Sequence, residues 1–176
     1  MKRLFQLLIL ILIFAGFSFA ASQKLKLNSK APPFTVVSGS GEVLTLNSLT
    51  GKVAIIFYEK KDAIEKTRLL KNSMNEFYDS QPDNIKKYIV RLPIIDCSGA
   101  FWPFKGIWEK KLVENSEKEG FTIFGDWNGK MSKDYILQDK NSTIIILDKS
   151  SVIKYIASDK NCSFKDIKSI LKTIAK

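Results

Sequence analysis

Apolar and polar residues alternate in patterns that predict a hairpin and two core strands in the first half of the chain. Short β-rich segments at Phe34–Val37 and Val43–Leu46 flank the turn sequence SGSG, and glycines in such a connection favour a tight turn. Lys52–Tyr58 is a continuous apolar run, which is typical of a strand buried on both faces of a parallel sheet. Tyr88–Asp96 predicts the next strand, but Pro93 cannot donate a ladder hydrogen bond and therefore predicts that this strand lies towards the edge of the sheet.

A helical period replaces the strand pattern at three places. From Asp62 onward the apolar residues recur every three or four positions, which predicts a helix with one core-facing stripe. A second helix is predicted over about Gly106–Lys118, and a last helix begins at Ser163 with Asp166 as its capping partner. The stripe of the first helix comprises Ala63, Thr67, Leu70, Met74 and Phe77.

The remaining segments complete an α/β pattern. Phe121–Phe124 predicts a short strand and Gly129–Tyr135 a short helical or turn segment, while Thr143–Leu147 and Val152–Ile156 predict an antiparallel pair joined by DKSS. This element order predicts a central mixed sheet, with parallel core strands, an antiparallel C-terminal pair and an N-terminal β-hairpin, flanked by helices on both faces.

The N-terminus has the pattern of a secretory signal peptide. Two basic residues precede an apolar run over Leu4–Phe17, and small residues stand before a cleavage site after Ala20. An uncleaved membrane anchor is the alternative, but the run is shorter than the roughly 20 residues that a spanning helix needs. We therefore predict a signal peptide over 1–20 and a single periplasmic domain over 21–176 that is not an integral membrane protein.

Composition narrows the range of partners and of chemistry. The full chain carries a net charge of +10, and removal of the signal peptide leaves +8. Such a charge favours an anionic envelope surface or an acidic protein face, although lysines spread along the chain are more typical of a solvated surface. There is no histidine, which excludes imidazole metal sites and histidine bases. The turn Asp126–Gly129 has too few oxygen ligands for calcium, so we expect no metal. We also expect no cofactor and no nucleic-acid partner.

Two segments resemble the redoxin branch of the thioredoxin superfamily. They are KAPPFTVVSGSGEVLTLNSLTGKVAIIFY and NSTIIILDKSSVIKYIA, and the resemblance covers about Lys30–Ala175. Its strongest parts are the entry at Ala31–Phe34, the turn at Gly51 that leads into the first core strand, and the hairpin around Asp148. The resemblance implies a thioredoxin-like fold, in which active members carry a Cys-x-x-Cys at the start of the first helix and a cis-proline before the antiparallel pair.

Both of these family motifs are replaced in this chain. Asp62 and Glu65 occupy the two cysteine positions, and Ser142 occupies the proline position. Carboxylates suit a helix start, where they accept hydrogen bonds from unpaired backbone N–H groups, so we interpret Asp62 and Glu65 as a capping pair. A carboxylate pair for acid–base or metal chemistry is the alternative. Together with the signal peptide and the stretch GDWNGKMSKDYILQDKNSTIIILDK, the replacements most resemble the YtfJ-type periplasmic thioredoxin-like proteins, which implies a fold and a compartment. The replacements themselves favour a non-catalytic binding module for an unknown protein partner.

Two cysteines, Cys97 and Cys162, are the thiols of the chain. In an oxidising compartment they can form a disulfide. Cys97 follows the second core strand, so an unconventional thiol oxidoreductase or antioxidant protein that uses Cys97, with or without Cys162 as the resolving thiol, is the alternative function. A buried or disulfide-bonded Cys97 is favoured, because the neighbouring Asp96 is expected to raise its pKa.

The segment SGAFWPFKGIW is rich in aromatic residues. Phe101, Trp102, Phe104 and Trp108 lie within eight positions. If exposed, these rings form a binding patch for an extended peptide or a partner protein. Packing above the sheet is the favoured interpretation, since Phe and Trp side chains usually contribute to cores.

Overall fold

The structure, a computed structural model, describes residues 25–60, 67–137 and 141–175. Within them, seven strands form one mixed sheet in the order β2-β1-β5-β4-β3-β6-β7. The strands are β1 (Thr35–Ser38), β2 (Val43–Thr45), β3 (Val53–Glu59), β4 (Ile89–Asp96), β5 (Phe124–Asp126), β6 (Thr143–Leu147) and β7 (Ile153–Ser158). The α-helices are α1 (Arg68–Asp79), α2 (Asp83–Lys86), α3 (Lys105–Glu119), α4 (Lys130–Asp134) and α5 (Phe164–Ile174), with short 3-10 helices at Leu46–Leu49 and Asp159–Asn161.

The predicted α/β architecture is confirmed. The hairpin pairs β1 with β2 and the C-terminal pair joins β6 to β7, both antiparallel. The predicted signal peptide, Asp62 and Glu65 lie outside the described residues. None of the helices in the described ranges has the length and apolar character that crossing a bilayer requires.

Strand β3 is the centre of the molecule. All seven of its residues are buried, because β4 pairs with it in parallel on one side and β6 in antiparallel on the other. Alternate side chains point to opposite faces of a sheet. Ile56 and Tyr58 accordingly pack with Met131 of α4, whereas Ile55 and Phe57 pack on the other face with residues of α1 and α5.

The prediction that Pro93 places its strand at the sheet edge was wrong. Strand β4 lies inside the sheet, between β3 and β5. However, β5 pairs with β4 only from Ile94 onward, so the stretch Ile89–Pro93 has a strand partner on the β3 side alone. Proline lacks the backbone N–H, but where that group would point to a side without a strand partner, no ladder hydrogen bond is lost. Pro93 is therefore tolerated, because β5 has not yet begun at this position.

The predicted strand at Phe121–Phe124 is also displaced, since β5 begins only at Phe124. The preceding residues terminate α3 instead of pairing in the sheet. Gly120 adopts a left-handed conformation with φ of 72°, the N–H of Phe121 donates to the carbonyl of Ser116 at 3.2 Å, and the N–H of Ile123 donates to the Ser116 hydroxyl at 2.9 Å. These bonds satisfy the last turn of the helix.

Candidate functional site

Three neighbouring parallel strands each end in an acidic residue. Glu59 ends β3, Asp96 ends β4 and Asp126 ends β5, and the strand register aligns Glu59 with Ile95 and Asp96 with Asp126. The carboxyl edge of a parallel sheet is where α/β proteins place ligands. The sequence carries no signal for Glu59 and predicts Asp126 in a turn, whereas the structure buries Asp126 at the end of β5.

Asp126 is 1% exposed and is held by two donors. Its Oδ2 accepts hydrogen bonds from the Tyr58 hydroxyl at 2.9 Å and from the Ser132 backbone N–H at 3.0 Å. Its Oδ1 has no hydrogen-bond partner within the described part of the chain. Burial, followed by the charges of Asp126 and Asp96, raises the pKa of Tyr58. The tyrosine therefore stays protonated and acts as a permanent donor to the buried carboxylate.

Lys60 connects the Asp126 group to the end of β4. Its ammonium forms an ion pair with Asp96 and lies 3.4 Å from the hydroxyl of Ser132. The other carboxylate oxygen of Asp96 accepts the Ser98 backbone N–H at 2.9 Å. Burial would raise the pKa of Asp96, but the hydrogen bonds from Lys60 and Ser98 outweigh it and hold the pKa below its usual value. Tyr58, Lys60, Asp96, Asp126 and Ser132 thus form one connected group, which we call the edge network.

Glu59 lies on the opposite face from the edge network and is also 1% exposed. Its carboxylate accepts a hydrogen bond from the Thr67 hydroxyl and pairs with the Lys71 ammonium at 3.1 Å. Burial raises the pKa of Glu59, and the two donors only partly oppose that effect. The contacts tie the end of β3 to Thr67 and to the first turn of α1.

Cys97 directly follows β4 and is completely buried. Its backbone N–H donates to the carbonyl of Asp126 at 3.2 Å, and its side chain packs with Ile95, Leu112 and Ile123. Burial, followed by the charges of Asp96 and Asp126, raises the pKa of the thiol from 9.0 to about 12. Since the thiolate is the reactive form of cysteine, this thiol is both inaccessible and protonated.

Cys162 lies far along the sheet from Cys97, and both are free thiols. Cys97 follows β4 and Cys162 follows β7, with β3 and β6 between these strands. Three strand spacings amount to about 14 Å, twice the roughly 7 Å that a disulfide tolerates between Cα atoms. Cys162 is half-buried and lies 3.7 Å from the Tyr155 hydroxyl. Burial is the main reason that its pKa is raised.

Ser142, at the position of the family's cis-proline, is 1% exposed. Its carbonyl accepts the N–H of Asp159 at 2.9 Å, and its hydroxyl has no hydrogen-bond partner among the residues described. This backbone bond joins the segment before β6 to the segment after β7. The capping role of Asp62 and Glu65 stays a prediction, because both residues lie outside the described ranges.

The aromatic segment is exposed, so the favoured prediction that it packs above the sheet was wrong. Phe101, Trp102 and Phe104 are 66%, 87% and 48% exposed, respectively, and the rings of Phe101 and Phe104 meet edge to face at 5.6 Å. Trp108, the fourth predicted residue, is half-buried on α3. A backbone turn precedes α3, and in it the carbonyl of Phe101 accepts the N–H of Phe104 at 2.8 Å. This turn places the first three rings outside the core. We call these three rings the aromatic patch.

The fold is similar to that of solved thiol-redox proteins. No protein-family model matches the chain, and a comparison with curated proteins finds no match. Among solved structures, a candidate thiol:disulfide interchange protein DsbE from Chlorobium tepidum has a TM-score of 0.64 and 16% identity, over 87% of this chain and 100% of that one. A peroxiredoxin-like protein from Aquifex aeolicus has a TM-score of 0.61 and 13% identity over 86% and 89% of the two chains. Thiol peroxidase from Chromobacterium violaceum has a TM-score of 0.60 and 15% identity over 86% and 89%. The chain therefore has a thioredoxin-like fold.

The edge network yields a stability prediction with a matched control. Tyr58→Phe removes a donor to a buried carboxylate, so we expect it to lower the free energy of unfolding by about 1.5–3 kcal/mol. Tyr135→Phe removes the hydroxyl of a tyrosine that is also buried and that donates to the neutral carbonyl of Pro32 at 2.7 Å, and we expect a loss of about 0.5–1.5 kcal/mol. Urea denaturation of both variants measures the difference. An equal loss in the two would show that Asp126 does not depend on Tyr58.

Proposed function

We propose that the protein is an exported binding module of the periplasm that contacts a protein partner without exchanging thiols. The supporting observation is the state of its two cysteines. Cys97 is fully buried with its pKa raised to about 12, and Cys162 is half-buried with its pKa also raised. Thiol exchange requires an accessible thiolate. The family resemblance adds that Asp62 and Glu65 stand where active members carry the reactive pair, and the pattern of residues 1–20 supports export.

The aromatic patch is the surface that we assign to the partner. Clusters of exposed aromatic side chains are rare on proteins that act alone and are enriched where interfaces form. Two nearby lysines of α3 are balanced by glutamates on the same helix, since Lys105 lies 3.4 Å from Glu109 and Lys110 lies 3.7 Å from Glu114. The patch is therefore mainly apolar, which favours a protein partner over an anionic envelope surface.

A thiol oxidoreductase or antioxidant protein that uses Cys97, with or without Cys162, is the second candidate. The thioredoxin-like fold shared with a thiol peroxidase favours it. Such an activity requires a conformational change that brings Cys97 out of its cluster with Leu112 and Ile123. The burial of Cys97 supports the binding module instead.

Thiol exchange is tested by insulin reduction with dithiothreitol as the electron donor. We expect the protein to leave the rate of insulin precipitation at the level of dithiothreitol alone, because Cys97 has no accessible thiolate. Variants Cys97→Ser and Cys162→Ser are expected to give the same rate. A clear acceleration by the wild type that Cys97→Ser abolishes would establish the second candidate.

The patch is tested by site-specific photo-crosslinking. A photoreactive amino acid at position 102 is expected to yield a discrete protein adduct in the periplasm of the source cell, and the double variant Phe101→Ser/Phe104→Ser is expected to lose it. The same photoreactive residue at Leu27, which is 59% exposed and lies outside the patch, is the control. Trp102→Ser should change the free energy of unfolding by less than about 0.5 kcal/mol.

Two results would contradict the assignment of the patch. One is an equal adduct from position 27 and position 102, which would indicate non-specific contact. The other is the absence of any protein adduct together with Trp102-dependent binding to anionic lipid vesicles, which would identify a membrane surface in place of a protein.

A further inference from the structure

A groove lies between α1 and α3, over the face of β3 and β4. Its volume is about 400 Å³, within the range of about 300–1,000 Å³ that is typical of small-molecule sites. Phe57, Pro93 and Ile95 form its floor, and Trp108 and Leu112 contribute apolar surface from α3. Neither cysteine lines it and no residue of the aromatic patch does. The groove therefore contains neither thiol and none of the three patch rings, although Ile95, Leu112 and Ile123 of its lining also pack with Cys97.

The face of α1 that borders the groove is polar. From α1 it is lined by Arg68, Lys71, Asn72 and Asn75, a spacing that places all four on one face of the helix. A helix that packs on a sheet normally turns an apolar stripe towards it. Helix α1 does so with Met74 and Phe77, and its neighbouring polar face lines the groove, so the site has two chemically different surfaces.

Positive charge dominates the lining. The cationic residues are Arg68, Lys71, Arg91, Lys111 and Lys118, and the acidic ones are Glu59 and Glu119. The charge of Glu59 is already paired with Lys71 at 3.1 Å. Within the described residues, Lys111 and Lys118 have no carboxylate partner. The groove thus presents uncompensated cations next to an apolar floor.

Arg91 is the most firmly positioned of these cations. It rises from β4, and one of its guanidinium nitrogens donates to Asn75 Oδ1 at 2.6 Å. The guanidinium lies 4.2 Å from the ring centroid of Tyr78 and 5.4 Å from that of Phe121. Among the residues described, its side chain makes no other hydrogen bond, although a guanidinium has five N–H donors. Such a fixed planar donor suits a carboxylate.

We propose that this groove binds an amphipathic carboxylate, with its apolar chain against Ile107 and Trp108 of α3 and its carboxylate group facing Arg91 and the lysines. The charge and the floor each restrict the ligand. A neutral lipid would leave the cations without a counter-charge, and a compact polar anion would leave the exposed Ile107 and the half-buried Trp108 uncovered. A medium-chain fatty acid combines both properties at a size that the groove admits.

Isothermal titration of the mature protein with decanoate tests the proposal. We expect saturable binding at one site, with an affinity about tenfold or more above that for decanol, because only decanoate forms charged hydrogen bonds to the cations. Lys111→Glu should weaken decanoate binding about tenfold. The control is Lys110→Glu, the same charge reversal at the preceding residue, whose side chain does not line the groove. It should leave the affinity within about twofold, because its distant charge is screened by salt.

Three results would overturn this assignment. They are equal affinity for decanoate and decanol, equal effects of Lys110→Glu and Lys111→Glu, and tighter binding of decyl phosphate than of decanoate. Both lysines are exposed on α3, so these variants are expected to fold and the comparison does not depend on stability. None of the outcomes involves thiol chemistry or the aromatic patch.

Discussion

The hydrogen bond between Tyr58 and the buried carboxylate of Asp126 holds together the carboxyl edge of the sheet. A carboxylate in a protein interior is costly unless donors satisfy it. Three adjacent strands end in acids here, and each acid has a donor: Lys71 for Glu59, Lys60 for Asp96 and Tyr58 for Asp126. The sheet edge where α/β proteins place ligands is therefore occupied, among the described residues, by internal contacts.

The same arrangement determines the state of Cys97. Its thiol is buried in an apolar cluster and experiences the charges of Asp96 and Asp126, so burial and negative charge act in the same direction and raise its pKa. A site that activates cysteine needs positive charge or a helix N-terminus beside an accessible sulfur. Lys60 does not serve that purpose because it is paired with Asp96. The features suited to binding, the aromatic patch and the cationic groove, involve neither thiol.

Periodicity predicted the elements whose buried residues can be identified from neighbouring positions in the sequence. The continuous apolar run of β3, the two antiparallel pairs and the helical stripes each follow from neighbouring residues. The errors arose where long-range contacts decide the outcome. Pro93 is tolerated inside the sheet because β5 is short, and Asp126 is buried because Tyr58, 68 residues earlier, reaches it. The exposure of the aromatic patch depends on where α3 begins, which the composition of the loop does not reveal.

The reactivity of Cys97 tests the central claim most directly. In the folded Cys162→Ser variant, the rate of alkylation by iodoacetamide is measured from about pH 7 to about pH 10 and compared with the rate in denaturant. A pKa of about 12 in place of 9.0 predicts a rate at least about a thousandfold lower than in denaturant at about pH 8, still rising at about pH 10. A rate at about pH 8 equal to or above that of the unfolded chain would contradict the account.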